Sequence, residues 1–244
     1  VPGSTERAML LIADIAGYTK FMKLHRASLV HSQNITARLL NTLVDACPLP
    51  LIEVEGDAAF FCAPENKLKV GAADLSLAMH RAFHIELERM IAHNICGCDA
   101  CLQSRNLKVK FVGHIGEVAR QSVGGRKKVV GIDVIAVHRM LKNGVPVQEY
   151  FLMTQPLYER SETAVRAAAK PIQEELEGLG RETLHFVDLE HLALDRPAPP
   201  SPGFGKRFTT TAAMIARTFP IAIGIRRPQR PLVDYETPAG PADR

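Results

Sequence analysis

The stretch that most constrains this chain is Leu10-Leu11-Ile12-Ala13-Asp14-Ile15-Ala16-Gly17-Tyr18-Thr19. Apolar residues of strong strand character run directly into Asp14, and Gly17 then lets the backbone turn at once toward a long helical segment. An acid is thereby held at a strand end. Such a junction offers a carboxylate oxygen to a hard cation, and the free N–H groups of Ile15, Ala16, Gly17, Tyr18 and Thr19 point at whatever anion the cation carries. That is chemistry suited to a metal-bound polyphosphate. Taken alone, the junction is also met by Asp14 as a plain helix N-cap; a second acid shifts the balance.

Composition sets the bounds. A chain of 244 residues, 46% hydrophobic and 23% charged, holds one large domain with an appendage and buries a core without disulfide staples. Of 5 cysteines, three crowd into Cys96 to Cys101, the pattern of a reducing compartment with a local metal or redox feature, so a cytoplasmic location is expected. Neither a membrane span nor a signal peptide is expected from the hydropathy pattern. A net charge of +4 does not call for a nucleic-acid partner, and none is expected.

Along the chain, strands are expected over 9–13, 51–54, 58–62, 107–118, 129–130, 150–153 and 184–189, and helices over 17–47, with a break near 28–32, then 70–94, 131–141, 156–160 and 163–176. Pro48 and Pro50 end the first helical region, Val123-Gly124-Gly125-Arg126 is a turn, and Asn143-Gly144 closes the helix that Gly131 opens. The order β-α-β-β-α-β, with elements added after it, describes an α+β, ferredoxin-like arrangement: an antiparallel sheet with helices on one face. Residues 196–203, Arg-Pro-Ala-Pro-Pro-Ser-Pro-Gly, read as a linker between a globular domain over 5–195 and a basic tail over 204–244.

The second acid is Asp57, in Glu55-Gly56-Asp57 between the hairpin strands. In a β-α-β-β unit the first strand neighbours this hairpin, so Asp14 and Asp57 are expected to meet at one end of the sheet. Neighbouring carboxylates repel unless a cation lies between them, and Mg²⁺ or Mn²⁺ bridging to substrate phosphates satisfies both. A separate cluster, His93-x-x-Cys96-x-Cys98-x-x-Cys101, supplies three thiolates and an imidazole, with Gly97 letting the backbone curl, and suits a structural Zn²⁺. A reduced surface loop or a metal shared between chains is the alternative.

Asp14-Ile-x-Gly-Tyr-Thr19 followed by Glu55-Gly-Asp57 resembles the paired metal motifs of class III adenylate and guanylate cyclases. The run from Leu10 to about Leu189, with Cys-x-Cys-x-x-Cys and Asp133-Val-Ile-x-Val-His-Arg139, resembles more narrowly the bacterial cyclase-like family DUF2652. The resemblance implies the nucleotidyl cyclase fold and a homodimer with metal acids from one subunit and transition-state residues from the other. It implies catalytic roles for Asp14, Asp57 and Arg139, with Asp14 and Asp57 as metal ligands, and purine contact by Glu53 beside Lys128. It also exposes departures. Gly131, Val134 and Arg139 keep the register of the cyclase Gly-x-x-Val-Asn-x-x-x-Arg run, but Ile135 stands at the Asn position and donates no hydrogen bond. No lysine lies in Glu177-Gly178-Leu179-Gly180-Arg181, where a phosphate lysine is implied, leaving Arg181 or Lys127 as substitutes. Arg139 reads equally as an exposed helix residue, His138 as a packed histidine, and Asp133 as a helix N-terminal charge.

Two functions follow from these readings. One is a divergent nucleotidyl cyclase-like domain that binds a metal-nucleoside triphosphate, ATP or GTP, and forms a cyclic nucleotide. The other is a catalytically degenerate cyclase fold acting as a ligand-binding regulatory module. The tail, with Lys206, Arg207, Arg217, Arg226 and Arg227 among apolar residues, makes a weak membrane-surface contact or wraps its own domain or dimer mate.

The cysteine spacing makes a prediction of its own. Purified protein should carry about one equivalent of zinc per chain at this cluster by elemental analysis, and Cys98→Ser should release that equivalent. A metal-free, folded chain indifferent to that substitution would refute the site.

Overall fold

Strand β1 (Glu6–Ala16) is covered on both faces, and for that reason its apolar residues run consecutively where a half-exposed strand would alternate. The structure is a computed structural model describing residues 5–24, 29–93 and 103–192, together with positions 205, 208, 209, 212 and 216. After β1 come α1 (Tyr18–Leu24), α2 (Leu29–Ala46), β2 (Leu51–Glu55), β3 (Ala58–Pro64), α3 (Ala72–His93), β4 (Lys108–Val123), β5 (Arg126–Val130) and α4 (Ile132–Arg139). Then follow β6 (Tyr150–Thr154), α5 (Gln155–Arg160), α6 (Thr163–Ala168), β7 (Lys170–Leu176), β8 (Gly180–Asp188) and α7 (Leu189–Leu192).

The strands make one 8-stranded sheet in the order β2-β3-β1-β4-β6-β8-β7, with β5 paired to β4. Every pairing is antiparallel except β4 with β6. Met9, Leu11, Ala13 and Ile15 of β1 face one core with Leu39 and Leu43 of α2, Met79 and Phe83 of α3, and Phe111 of β4. Ala8, Leu10 and Ile12 face the other core with Val137 of α4 and Met140 directly after it. The α+β arrangement expected from the element order is present, but helices expected on one face lie on both: the longer α2 and α3 pack together on one, and the short α4 covers the other because Ala8, Leu10 and Ile12 of β1 are apolar on that side too.

Helix α4 is fastened to β4 by Asp133. Its Oδ2 accepts the Glu117 N–H at 2.6 Å, and its Oδ1 lies 2.9 Å from His114 Nε2. His114 Nδ1 in turn lies 2.8 Å from Thr154 Oγ1. The acid expected merely to complement the helix dipole also pins the helix to the sheet. Gly131, the residue before α4, has φ +147°, and a Cβ there would come within 2.9 Å of the Glu117 carbonyl, so no other residue fits without a shift.

One expected element differs. The helix predicted over 163–176 stops at Ala168, and Lys170–Leu176 forms the edge strand β7. Pro171 lacks an amide hydrogen and pushes Lys170 out of the helical region. Ile172, Glu174 and Leu176 then alternate toward the sheet, and Gly178 and Gly180, both at positive φ, close the turn into β8. Of the helical region expected over 17–47 with a break near 28–32, the described residues form α1 and α2. Cys96, Cys98, Cys101 and the side chain of His93 lie outside the described residues, as do linker 196–203 and most of tail 204–244. No helix among the described residues is long and apolar enough to cross a membrane.

Phe111, fully buried on β4 between the two elements it joins, is a sensitive probe of this packing. Phe111→Ala should lower the free energy of unfolding in urea by about 3–5 kcal/mol.

Candidate functional site

The site is assembled by strand register. In the pleat of β1, Asp14 shares a face with Leu10 and Ile12, and its partners across the sheet are Ala58 on β3 and Lys110 on β4. Asp57 directly precedes β3 after Gly56, whose φ of +64° makes the tight turn from β2. The Ile15 N–H donates to the Asp57 carbonyl at 3.2 Å, which locks the hairpin turn to the end of β1. Asp14 and Asp57 are thereby brought together.

A third charge enters from β4. Lys110 Nζ lies 3.1 Å from Asp14 Oδ2 and donates to the Leu141 carbonyl, also at 3.1 Å, just beyond α4. Burial pushes the Asp57 carboxyl up, the Asp14 charge pushes it further, and its backbone hydrogen bond and Lys110 only partly oppose them, leaving it at about 6. Burial and the neighbouring Asp57 also raise the Tyr18 phenol. Desolvated carboxylates that resist sharing negative charge fit a hard cation, and their oxygen donors are of the type Mg²⁺ and Mn²⁺ prefer. Lys110 competes with such a cation for Asp14.

Beside the acids opens a cleft of about 830 Å³. Ala16 and Gly17 line it together with Arg105, Lys108, Lys110 and Tyr150. The sequence pattern offers Arg181 or Lys127 as the phosphate cation, whereas the structure gathers basic groups around the start of β4. The signal lay in Leu107-Lys108-Val109-Lys110-Phe111, lysines set at alternate positions in an otherwise apolar strand, but the strand's neighbours were needed to aim them.

The other expected residues are distributed more widely. Glu53 Oε2 lies 3.8 Å from Lys128 Nζ, an exposed pair joining β2 to β5. Arg139 forms an ion pair with Glu177 of its own chain, in the turn between β7 and β8, and no described contact links it to Asp14 or Asp57. His138 is a packed histidine, edge-on to Phe60 with its Nδ1 2.8 Å from the Val134 carbonyl. Ile135 is 49% exposed on α4. Of the backbone groups expected to face phosphate, the Ile15 N–H is committed to Asp57.

The raised Asp57 carboxyl carries a pH signature. Between about 4, where an unfolded aspartate loses its proton, and about 6, the folded state holds a proton that the unfolded chain has released. In chelator, stability should therefore fall as pH rises through this window and level off above it. Asp57→Asn should flatten that decline, as read from urea midpoints across pH.

Comparison with known proteins agrees with this architecture. The profile of the family described as "Protein of unknown function (DUF2652)" matches residues 36–150. The uncharacterized protein Rv2561/Rv2562 of Mycobacterium tuberculosis is 39% identical over 170 residues, which cover 69% of this chain and 80% of that protein. Among solved structures, a bacterial light-regulated adenylyl cyclase aligns with TM-score 0.57 at 12% identity over 89% of this chain, which spans 58% of that protein's length. The guanylate cyclase domain of RhGC from Catenaria anguillulae, solved in complex with GTP, aligns with TM-score 0.52 at 16% identity, covering 75% of this chain and 97% of that domain. The adenylyl cyclase CyaB from P. aeruginosa aligns with TM-score 0.51 at 12% identity, covering 83% of this chain and 100% of CyaB. These likenesses show that the fold is that of class III nucleotidyl cyclase domains. By its match to the family profile and its identity to the mycobacterial protein, the chain belongs to DUF2652, a family of proteins of unknown function.

Proposed function

We propose that this chain binds a nucleoside triphosphate, as its Mg²⁺ or Mn²⁺ complex, at the end of β1, in the manner of a divergent class III nucleotidyl cyclase domain. The observation that carries the reading is the convergence of Asp14 and Asp57 in a partly desolvated site where the Asp57 carboxyl is pushed up to about 6. A divalent ion held by the two acids would screen phosphate charge and favour ionisation of an attacking hydroxyl. The chain's own contribution is positional. The turn at Gly17 and the cationic groups of Arg105, Lys108 and Lys110 border the volume that a polyphosphate needs. Glu53, beside Lys128, is placed to accept hydrogen bonds from a purine edge. Arg139, arriving from a second copy in a homodimer, is the group to meet charge developing in cyclisation, after leaving Glu177.

A second reading, a degenerate cyclase fold that binds the nucleotide without turning it over, has specific support. Ile135 presents an exposed apolar side chain where the cyclase register asks for an amide donor, and Lys110 already neutralises Asp14.

Calorimetry with ATP and GTP, with and without Mn²⁺, tests binding, and mass spectrometry of the products tests turnover. Asp14→Ala and Asp57→Ala should each abolish metal-dependent binding. Lys110→Met should raise the Mn²⁺ affinity of the ligand-free chain, because it removes a cation 3.1 Å from Asp14. If product forms, Arg139→Ala should lower kcat more than it raises KM. Binding without product selects the second reading. Failure of every triphosphate to bind in the presence of Mn²⁺ would refute both.

A further inference from the structure

On the α3 side of the sheet lies a polar cluster that the acid pair does not use. Glu149, fully buried just before β6, has His80 and His84 of α3 around one carboxylate oxygen. The i, i+4 spacing places both rings on one face of the helix. His84 Nε2 lies 2.5 Å and His80 Nε2 3.2 Å from Glu149 Oε1. The same oxygen accepts the Val109 N–H at 3.3 Å, and Lys108 Nζ lies 3.1 Å from Oε2. Burial would raise the Glu149 carboxyl, but its contacts with the two histidines outweigh burial and hold it well below the usual carboxylate range.

His80 supplies the independent observation. It is 0% exposed, and neither ring nitrogen makes a properly aligned hydrogen bond. A ring sealed in a core with its Nδ1 unbonded and its Nε2 meeting Glu149 Oε1 only in a misaligned contact is rare, because it forfeits hydration and recovers little.

We propose that His80, His84 and Glu149 bind a transition-metal ion, with zinc the cation best suited to two imidazoles and one carboxylate. Their ligand atoms all lie within 4.8 Å of one another. Tetrahedral zinc with bonds of about 2.0–2.1 Å sets its ligand atoms roughly 3.3 Å apart. The His80–Glu149 distance of 3.2 Å already meets that requirement. His84 Nε2 would withdraw from Glu149 Oε1 by less than about 1 Å from its present 2.5 Å. Lys108 and the Val109 N–H then act as the outer partners that orient the carboxylate. The metal would tie α3 to the starts of β4 and β6, behind the cleft wall that Lys108 helps to form.

The test uses the full chain carrying Cys96→Ser, Cys98→Ser and Cys101→Ser, which removes competing thiolates. Titration with Co²⁺ should show about one ion per chain, with a visible ligand-field spectrum, no thiolate charge-transfer band, and displacement by Zn²⁺. His80→Ala and His84→Ala should each weaken uptake by more than about tenfold with the far-UV circular dichroism unchanged. A folded triple-serine chain that takes up no Co²⁺ overturns the proposal, as does uptake indifferent to both histidine substitutions. If the triple-serine chain does not fold, the unsubstituted chain is titrated instead. A thiolate-free cobalt spectrum then supports the site, and cobalt bound only through thiolate overturns it.

Discussion

β1 pairs with β3 on one side and β4 on the other over most of its length, and its side chains are covered above by α2 and α3 and below by α4. A strand confined in this way has no freedom of register. A slip of one residue would turn Leu10 and Ile12 into the wrong core and carry Asp14 to the opposite face. The same packing that stabilises the domain therefore fixes the height and side at which Asp14 emerges. It also fixes which residues of the neighbouring strands lie beside it: Ala58, directly after Asp57, and Lys110.

The consequence is an electrostatic site under tension. The two acids are brought close where water is partly excluded, so the Asp57 carboxyl resists ionising beside the charge of Asp14. Lys110 relieves Asp14 but leaves Asp57 raised. At 3.1 Å and an effective dielectric constant near 20, the attraction between Lys110 and Asp14 is on the order of 5 kcal/mol before desolvation is subtracted. A divalent ion entering the site must overcome or displace that interaction.

The two faces of the sheet carry different chemistry. The α4 face offers hard oxygen donors beside cationic groups, suited to a metal-bound phosphate, while the α3 face holds imidazoles around a sealed carboxylate. Likeness to adenylyl and guanylyl cyclase domains at 12–16% identity speaks to the shared fold; what happens on either face rests on the side chains present. At α4 these depart from the cyclase pattern. Ile135 is apolar, and Arg139 is engaged by Glu177.

Much was legible in the chain itself. Consecutive apolar residues ending in Asp14 marked the central strand, Glu55-Gly56-Asp57 marked the hairpin turn, and the order of periodicities marked an α+β sheet, because each of these signals is local. Elements whose conformation depends on a partner were not legible. Lys170–Leu176 looked like a continued helix until β8 supplied its hydrogen bonds. Lys110 was one lysine in a strand until the register set it against Asp14, and Glu149 was one acid among many until α3 laid His80 and His84 over it. Sequence alone determined which residues carry charge and which strand ends in an acid. Tertiary structure alone decided which charges meet, because register and helix packing bring together residues 41 to 96 positions apart, such as Lys108 with Glu149 and Asp14 with Lys110, and local sequence carries no record of that approach.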